Sequence, residues 1–222
     1  MPLTWHAELA WLGGDREHVD EGVAIVTEGE RVVSVETGVR PPPAAAVRLQ
    51  GLVLPALANA HSHAFHRALR GRTQGGRAGD FWSWRERMYA LAARLEPDSY
   101  HDLARAVYAE MALAGVAAVG EFHYLHHRPG GGRYADPNAF GRALLAAAAE
   151  AGVRLALLDA CYLQADLDGS PLREVQLRFG DGSAEAWAER VGALGGEVAA
   201  RPAARLGAAI HSVRAEIGRA HV

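Results

Sequence analysis

From Pro97 onward the chain alternates helical periodicity with short apolar runs, and this alternation constrains the fold more than any other feature. Asp98–Ala114 lies between Pro97 and Gly115 and carries Leu103, Val107, Met111 and Ala114 on one face, which predicts an amphipathic helix. Val116–His123 follows as a buried strand. Asn138–Ala151 and Ser183–Leu194 read as further helices, with Val153–Ala160 and Arg205–His211 as the strands after them. Strands connected through helices pair in parallel and are covered on both faces, which explains their near-continuous apolar character. Upstream, Leu54–His63 is one more strand-like run. About four strands in βα order, several of them ending in histidine or other polar residues, amount to half of an eight-stranded barrel. A doubly wound sheet is the competing architecture, but no Gly-rich dinucleotide fingerprint follows a strand.

The first part of the chain has a different rhythm. Between Leu3 and Leu49 the pattern is short β segments, with Val23–Val26 and Arg31–Val35 flanking Glu28-Gly29-Glu30 as a hairpin. Pro41-Pro42-Pro43 then breaks the pattern. Residues 1–50 are therefore expected to form a small β domain, too short to close on itself, ahead of a barrel portion over residues 51–215. A Gly-rich segment, Gly71–Gly79, separates the Leu54–His63 strand from Asp80-Phe81-Trp82-Ser83-Trp84-Arg85. The formal net charge of −3 points to neither a nucleic-acid nor a membrane partner. One cysteine, Cys161, fits a reducing compartment, and no signal peptide or spanning segment is evident, so a cytoplasmic setting is expected.

Candidate chemistry collects at strand ends. His61 and His63 are two apart on a strand, so they share a face and can converge on one metal ion. Neutral imidazole is a favoured zinc ligand. Glu121 and His123 end the next strand with the same spacing, and His123 is favoured as functional; His126 and His127 follow in a loop and read equally as solvated. His211, with Arg214 three residues on, ends the last strand and suits an anionic substrate. Arg85 and Arg87 sit among aromatics, where an exposed helix start is the competing reading. There is no nucleophile elbow and no P-loop, and a single cysteine excludes a Pro-Cys-x-x-Cys zinc site.

The order of a small β domain, a strand ending His-x-His and then βα units resembles the amidohydrolase superfamily. The strings HSHAFHRALRGR, DFWSWRERMYALAARLEPDSY, MALAGVAAVGEFHYLHH and RYADP are similar in particular to its formimidoylglutamate deiminase family, over essentially Leu3–Ala215. The resemblance implies an α/β fold: the first half, about four βα units, of a metal-dependent hydrolase (β/α)8 TIM barrel, preceded by an incomplete small β-sandwich domain. It implies hydrolysis of N-formimino-L-glutamate to N-formyl-L-glutamate and ammonia, with one zinc that activates water for attack on the amidine carbon. His61 and His63 match the first two metal ligands. His66 stands where many relatives have a substrate-contacting glutamine, and Arg85, Tyr124, His211 and Arg214 match positions for the formimino group and the carboxylates. The partner is then a small-molecule dicarboxylate, and a homodimer is the assembly expected of the intact enzyme.

The family's remaining ligands and its general acid/base come from later strands, so no catalytic residue is assigned in this chain, and the polypeptide as given is expected to be inactive and unstable. Residues 216–222 match the translation of a common sequencing-adapter sequence and are expected to be a non-native tail in which His221 has no role. Two other readings remain: a related barrel deaminase or chlorohydrolase acting on a purine or triazine, and a non-catalytic metal-binding fragment.

Overall fold

The computed structural model describes residues 1–73 and 80–215. The expected non-native tail and most of the Gly-rich segment lie outside the described residues. The chain divides into two compact units, Met1–Ala56 and Leu57–Val222.

The first unit is one four-stranded sheet in the order β3-β2-β1-β4. It is built from β1 (Leu3–Ala10), β2 (Asp20–Glu28), β3 (Arg31–Glu36) and β4 (Val47–Val53). The expected hairpin is β2–β3, and Gly29 at φ 57° supplies the left-handed residue its tight turn needs. Ala7, Ala10 and Val23 make a minimal core with Leu12, Ile25, Leu49 and Val53 packed against it. A second sheet, which a sandwich would require, is not seen among the described residues of this unit. Strand β4 runs on to Val53 because it pairs in parallel with β1.

The second unit carries a parallel sheet in the order β5-β6-β7-β8: β5 (Leu57–Ser62), β6 (Val116–His123), β7 (Arg154–Cys161) and β8 (Ala204–Ile210). Helices α1 (Phe81–Ala92), α2 (Pro97–Leu113), α3 (Ala139–Ala151) and α4 (Ala184–Ala199) connect them. Sequential strands lying side by side through helical crossovers are the start of a (β/α) barrel. Helix α4 continues past the expected end at Leu194, through Gly195 and Gly196. Burial of Val198 explains this, since it outweighs a cost of about 1 kcal/mol for each helical glycine. The core lies between sheet and helices, with Tyr100, Tyr108, Phe140, Leu144, Leu157 and Leu194 fully enclosed.

A polar network is sealed into that core. The Arg190 guanidinium on α4 grips Asp159 on β7 with two bonds of 2.9 and 2.8 Å. It also holds Asp181 at 3.0 Å through both Nε and Nη2. Trp187 Nε1 donates to Asp159, and Asn138 accepts from the same guanidinium. Two carboxylates on one cation leave net negative charge, which His126 and His127 flank: His127 Nε2 lies 3.0 Å from Asp181 and His126 Nε2 3.6 Å from Asp159. Burial would raise the Asp181 carboxyl, but His127 and Arg190 hold it below the ordinary range. Arg178, equally buried, donates to the carbonyls of Ala92, Leu95 and His127 and so caps the end of α1.

Two expectations follow. Replacing Arg190 by Leu strands two buried carboxylates and is expected to destabilise the protein by about 3–5 kcal/mol in urea unfolding; a loss under about 1 kcal/mol would overturn this account. Burial also pushes His123 down to about 4 and His126 well below its ordinary value. The folded state then takes up these protons later than the unfolded chain. Stability is therefore full above the unfolded value of about 6.5 and falls as pH drops below it, by up to about 1.4 kcal/mol per pH unit for each histidine. Denaturant melts between pH 7 and 5 check the slope, which should shrink in His126→Asn.

Candidate active site

Alternation along the strands sorts side chains into two environments. On β5, Ser62 points into the helix-facing core, whereas His61 and the following His63 face the other way. On β6, Glu121 and His123 are buried on the core side, and Phe122 with the following Tyr124 lies among the histidines of the opposite face. The register contains an irregularity: Asn59 pairs with Val119 and Ser62 with Glu121, so β5 holds one extra residue there. The bulge brings the Ala60 carbonyl against Gly120, where an added Cβ would sit 2.8 Å from the oxygen. Gly120 is required by that close approach.

His61 Nε2 and His63 Nε2 lie 2.9 Å apart. His63 Nδ1 is 3.0 Å from the Phe122 carbonyl, which can only accept, so Nδ1 carries the proton and Nε2 keeps its lone pair. Two imidazole nitrogens at this separation leave room for a shared ion at about 2.0–2.1 Å from each. The chemistry of this donor pair suits a divalent metal. No third histidine, cysteine or carboxylate joins this pair among the described residues.

Other side chains complete the mouth. His66 Nε2 is 2.7 Å from the Tyr124 hydroxyl, and burial, followed by the neighbouring His63 and His61, pushes His66 down to about 3. The centre of the His211 ring lies 4.3 Å from that of Tyr162 in a tilted contact and 5.1 Å from that of Tyr124 edge-on. Burial lowers His211 to about 4, helped by the charges of Arg214, His63 and Arg85, which places both guanidiniums within electrostatic reach of the same ring. Arg85 donates through Nε to the Tyr89 hydroxyl at 2.9 Å and lies over that ring. Arg214 keeps a buried Nε with no hydrogen-bond partner among the described residues, as a group awaiting an acceptor would.

Of the residues singled out for metal and substrate, His61, His63, His66, Tyr124 and His211 come to one side of the sheet, and Arg85 and Arg214 act on His211 electrostatically. His123, favoured from its spacing, does not share that side: it lies in the helix-facing core, as do His126 and His127, which are buried and bound rather than solvated. His123, His126 and Asp159 are close enough to hold an ion among them. Arg190 already occupies both Asp159 oxygens, so a second cation is disfavoured there. Sequence reading missed Phe122, Tyr89 and Tyr162, and also Gln176, whose Nε2 donates to the Tyr89 hydroxyl at 3.3 Å. Tyr162 follows the end of β7, where barrel sites are built, and Tyr89 stands one helical turn after Arg85.

The Amidohydrolase family pattern matches residues 52–214, and the chain belongs to that family. The chain is 44% identical over 172 residues to a formimidoylglutamate deiminase from Pseudomonas aeruginosa, covering 77% of this chain and 38% of that protein. The crystal structure of an amidohydrolase from Brucella melitensis superposes with a TM-score of 0.88 at 35% identity, over 97% of this chain and 47% of that one. An atrazine chlorohydrolase from Arthrobacter aurescens, complexed with zinc, shares the fold at a TM-score of 0.74 and 19% identity, over 94% of this chain and 46% of its own. The chain thus spans less than half the length of these relatives.

Gly120→Ala tests the strand geometry behind the histidines. It is expected to force β5 and β6 apart and lower stability by about 1–3 kcal/mol. A thermal or urea midpoint equal to that of the unsubstituted protein would show that the bulge has slack.

Proposed function

We propose that this chain is part of a formimidoylglutamate deiminase, in which N-formimino-L-glutamate and water give N-formyl-L-glutamate and ammonia. The observation that carries the reading is the His61–His63 pair at the end of β5, with Nε2 atoms 2.9 Å apart, and two arginines, Arg85 and Arg214, in electrostatic reach of His211. The 44% identity to the Pseudomonas enzyme supports it. His61 and His63 are the proposed holders of a zinc ion, which supplies Lewis acidity for hydrolysis of the carbon–nitrogen bond. Arg85 and Arg214 each present a planar fork to a carboxylate of the substrate. His66, held neutral by burial and bonded to Tyr124, offers either a donor or an acceptor to the formimino nitrogens, and His211 lies across the mouth beside Tyr124. The general acid/base is not assigned to any residue of this chain.

The same reading extends to residues 1–50 as part of an N-terminal β domain, 51–215 as the opening of the barrel and 216–222 as a non-native tail. A cytoplasmic homodimer is the proposed setting; no helix among the described residues is long and apolar enough to cross a membrane. A purine or triazine substrate would leave both arginines without carboxylates to bind, which is why the dicarboxylate is preferred.

The test is ammonia release by the full-length protein from N-formimino-L-glutamate, beside a purine and a triazine. Activity is expected with the formimino compound alone, to be lost on chelation and in His63→Ala. Arg214→Met is expected to raise KM about 10–100-fold with a smaller change in kcat, as loss of a charged hydrogen bond to the substrate would. Turnover of the purine or triazine and not of the formimino compound would overturn the proposal.

A further inference from the structure

Glu121 is fully buried, yet among the described residues no cation neighbours it: its polar surroundings are the Ala64 amide and the Ser62 and Tyr108 hydroxyls. A carboxylate sealed away from water without a positive partner is expensive, and an apolar side chain would pack there at less cost. What the carboxylate does is specific. Its Oε1 accepts from the Ala64 N–H at 2.6 Å. Ala64 opens the short 3-10 helix Ala64–Leu69, whose N-cap residue is His63, and His63 makes no capping bond with its own side chain. Glu121 therefore caps this turn from a neighbouring strand, satisfying an amide that the chain leaves orphaned. Strand pairing puts it there, because Ser62 and Glu121 are opposite one another in the β5–β6 ladder.

The histidine pair is on the far side of the same backbone. His61, Ser62 and His63 alternate faces, so a bond that pins the peptide after His63 from behind also fixes the direction in which its ring leaves the strand. The ring is held from the front as well, by the bond of Nδ1 to the carbonyl of Phe122, the residue next to Glu121. Consecutive residues of β6 thus grip the end of β5 from both faces.

We propose that Glu121 is a positioning residue for the metal-facing histidines, acting through the Ala64 amide to set the His63 ring. The proposal rests on the reading of His61 and His63 as metal holders. Glu121→Gln keeps an oxygen that can accept from Ala64, whereas Glu121→Leu removes it at similar volume. In the metal-free full-length protein, 15N spectra of His63 should show one Nδ1–H tautomer in the wild type and in Glu121→Gln, and a tautomer mixture in Glu121→Leu. Affinity for Co2+, followed by its visible absorption, should fall about 10–100-fold in Glu121→Leu and far less in Glu121→Gln, in keeping with loss of an outer-shell support.

A folded Glu121→Leu protein with the wild-type tautomer and Co2+ affinity would overturn the proposal, as would equal losses in both variants. If His63→Ala leaves Co2+ binding unchanged, it is the metal reading that fails, and the tautomer comparison still decides the role of Glu121. Should Glu121→Leu not fold, hydrogen exchange of the Ala64 amide decides: strong protection in the wild type and in Glu121→Gln is expected, and a freely exchanging amide would overturn the cap.

Discussion

Parallel pairing of β5 with β6 is the contact on which the rest of the barrel unit depends. It sets Ser62 opposite Glu121, and through strand alternation it decides which side chains meet the helices and which meet the mouth. The bulge between Asn59 and Ser62 bends the end of β5, and only a residue without a Cβ at position 120 lets the Ala60 carbonyl lie so close. A slip of one residue would carry His61 and His63 into the helix layer and bring Ser62 out. Register here is a chemical choice as much as a packing one.

The two faces treat ionisable groups in opposite ways. In the helix-facing core, Arg190 is fully used by Asp159 and Asp181, and Arg178 by three backbone carbonyls. Their charges are neutralised or spent on caps, so the network rigidifies the loops after β6 and β7 without presenting anything to a ligand. Histidines in this layer, His123 and His126, are driven to the neutral form by burial. At the mouth, His63 and His66 are also held neutral, again chiefly by burial, but His63 Nε2 lies beside His61 Nε2 and His66 Nε2 beside the Tyr124 hydroxyl. The same residue type thus serves structure on one face and, on the proposed function, ligand chemistry on the other.

The order of strands and helices was legible because periodicity and apolar runs act locally, and the hairpin was legible from Gly29 for the same reason. The histidine pair was legible because a spacing of two on a strand guarantees a shared face. His123 was misread because that same rule says nothing about which face is which. Glu121 and His123 share a face just as His61 and His63 do, and only the β5–β6 register shows that the two pairs point opposite ways. Burial of His126 and His127 depended on Asp159, Asp181 and Arg190, contacts that span tens of residues and leave no local pattern. Tyr162 and Gln176 belong to the same class of long-range neighbours.

What separates the mouth from the core in the end is compensation of charge. Among the described residues, Arg85 is bonded only to a neutral phenol, and Arg214 holds a buried Nε without an acceptor. Each guanidinium in the helix layer, by contrast, has fixed acceptors on every side it presents. A buried or half-buried cation left short of acceptors is destabilising to the free protein, and that cost is recovered when an anion arrives with oxygens to fill the fork. On the proposed function, two such cations beside imidazoles that can hold a metal would select a ligand with two carboxylates over an uncharged ring of the same size. The selectivity lies less in attraction for the right molecule than in unpaired charge that the wrong one leaves behind.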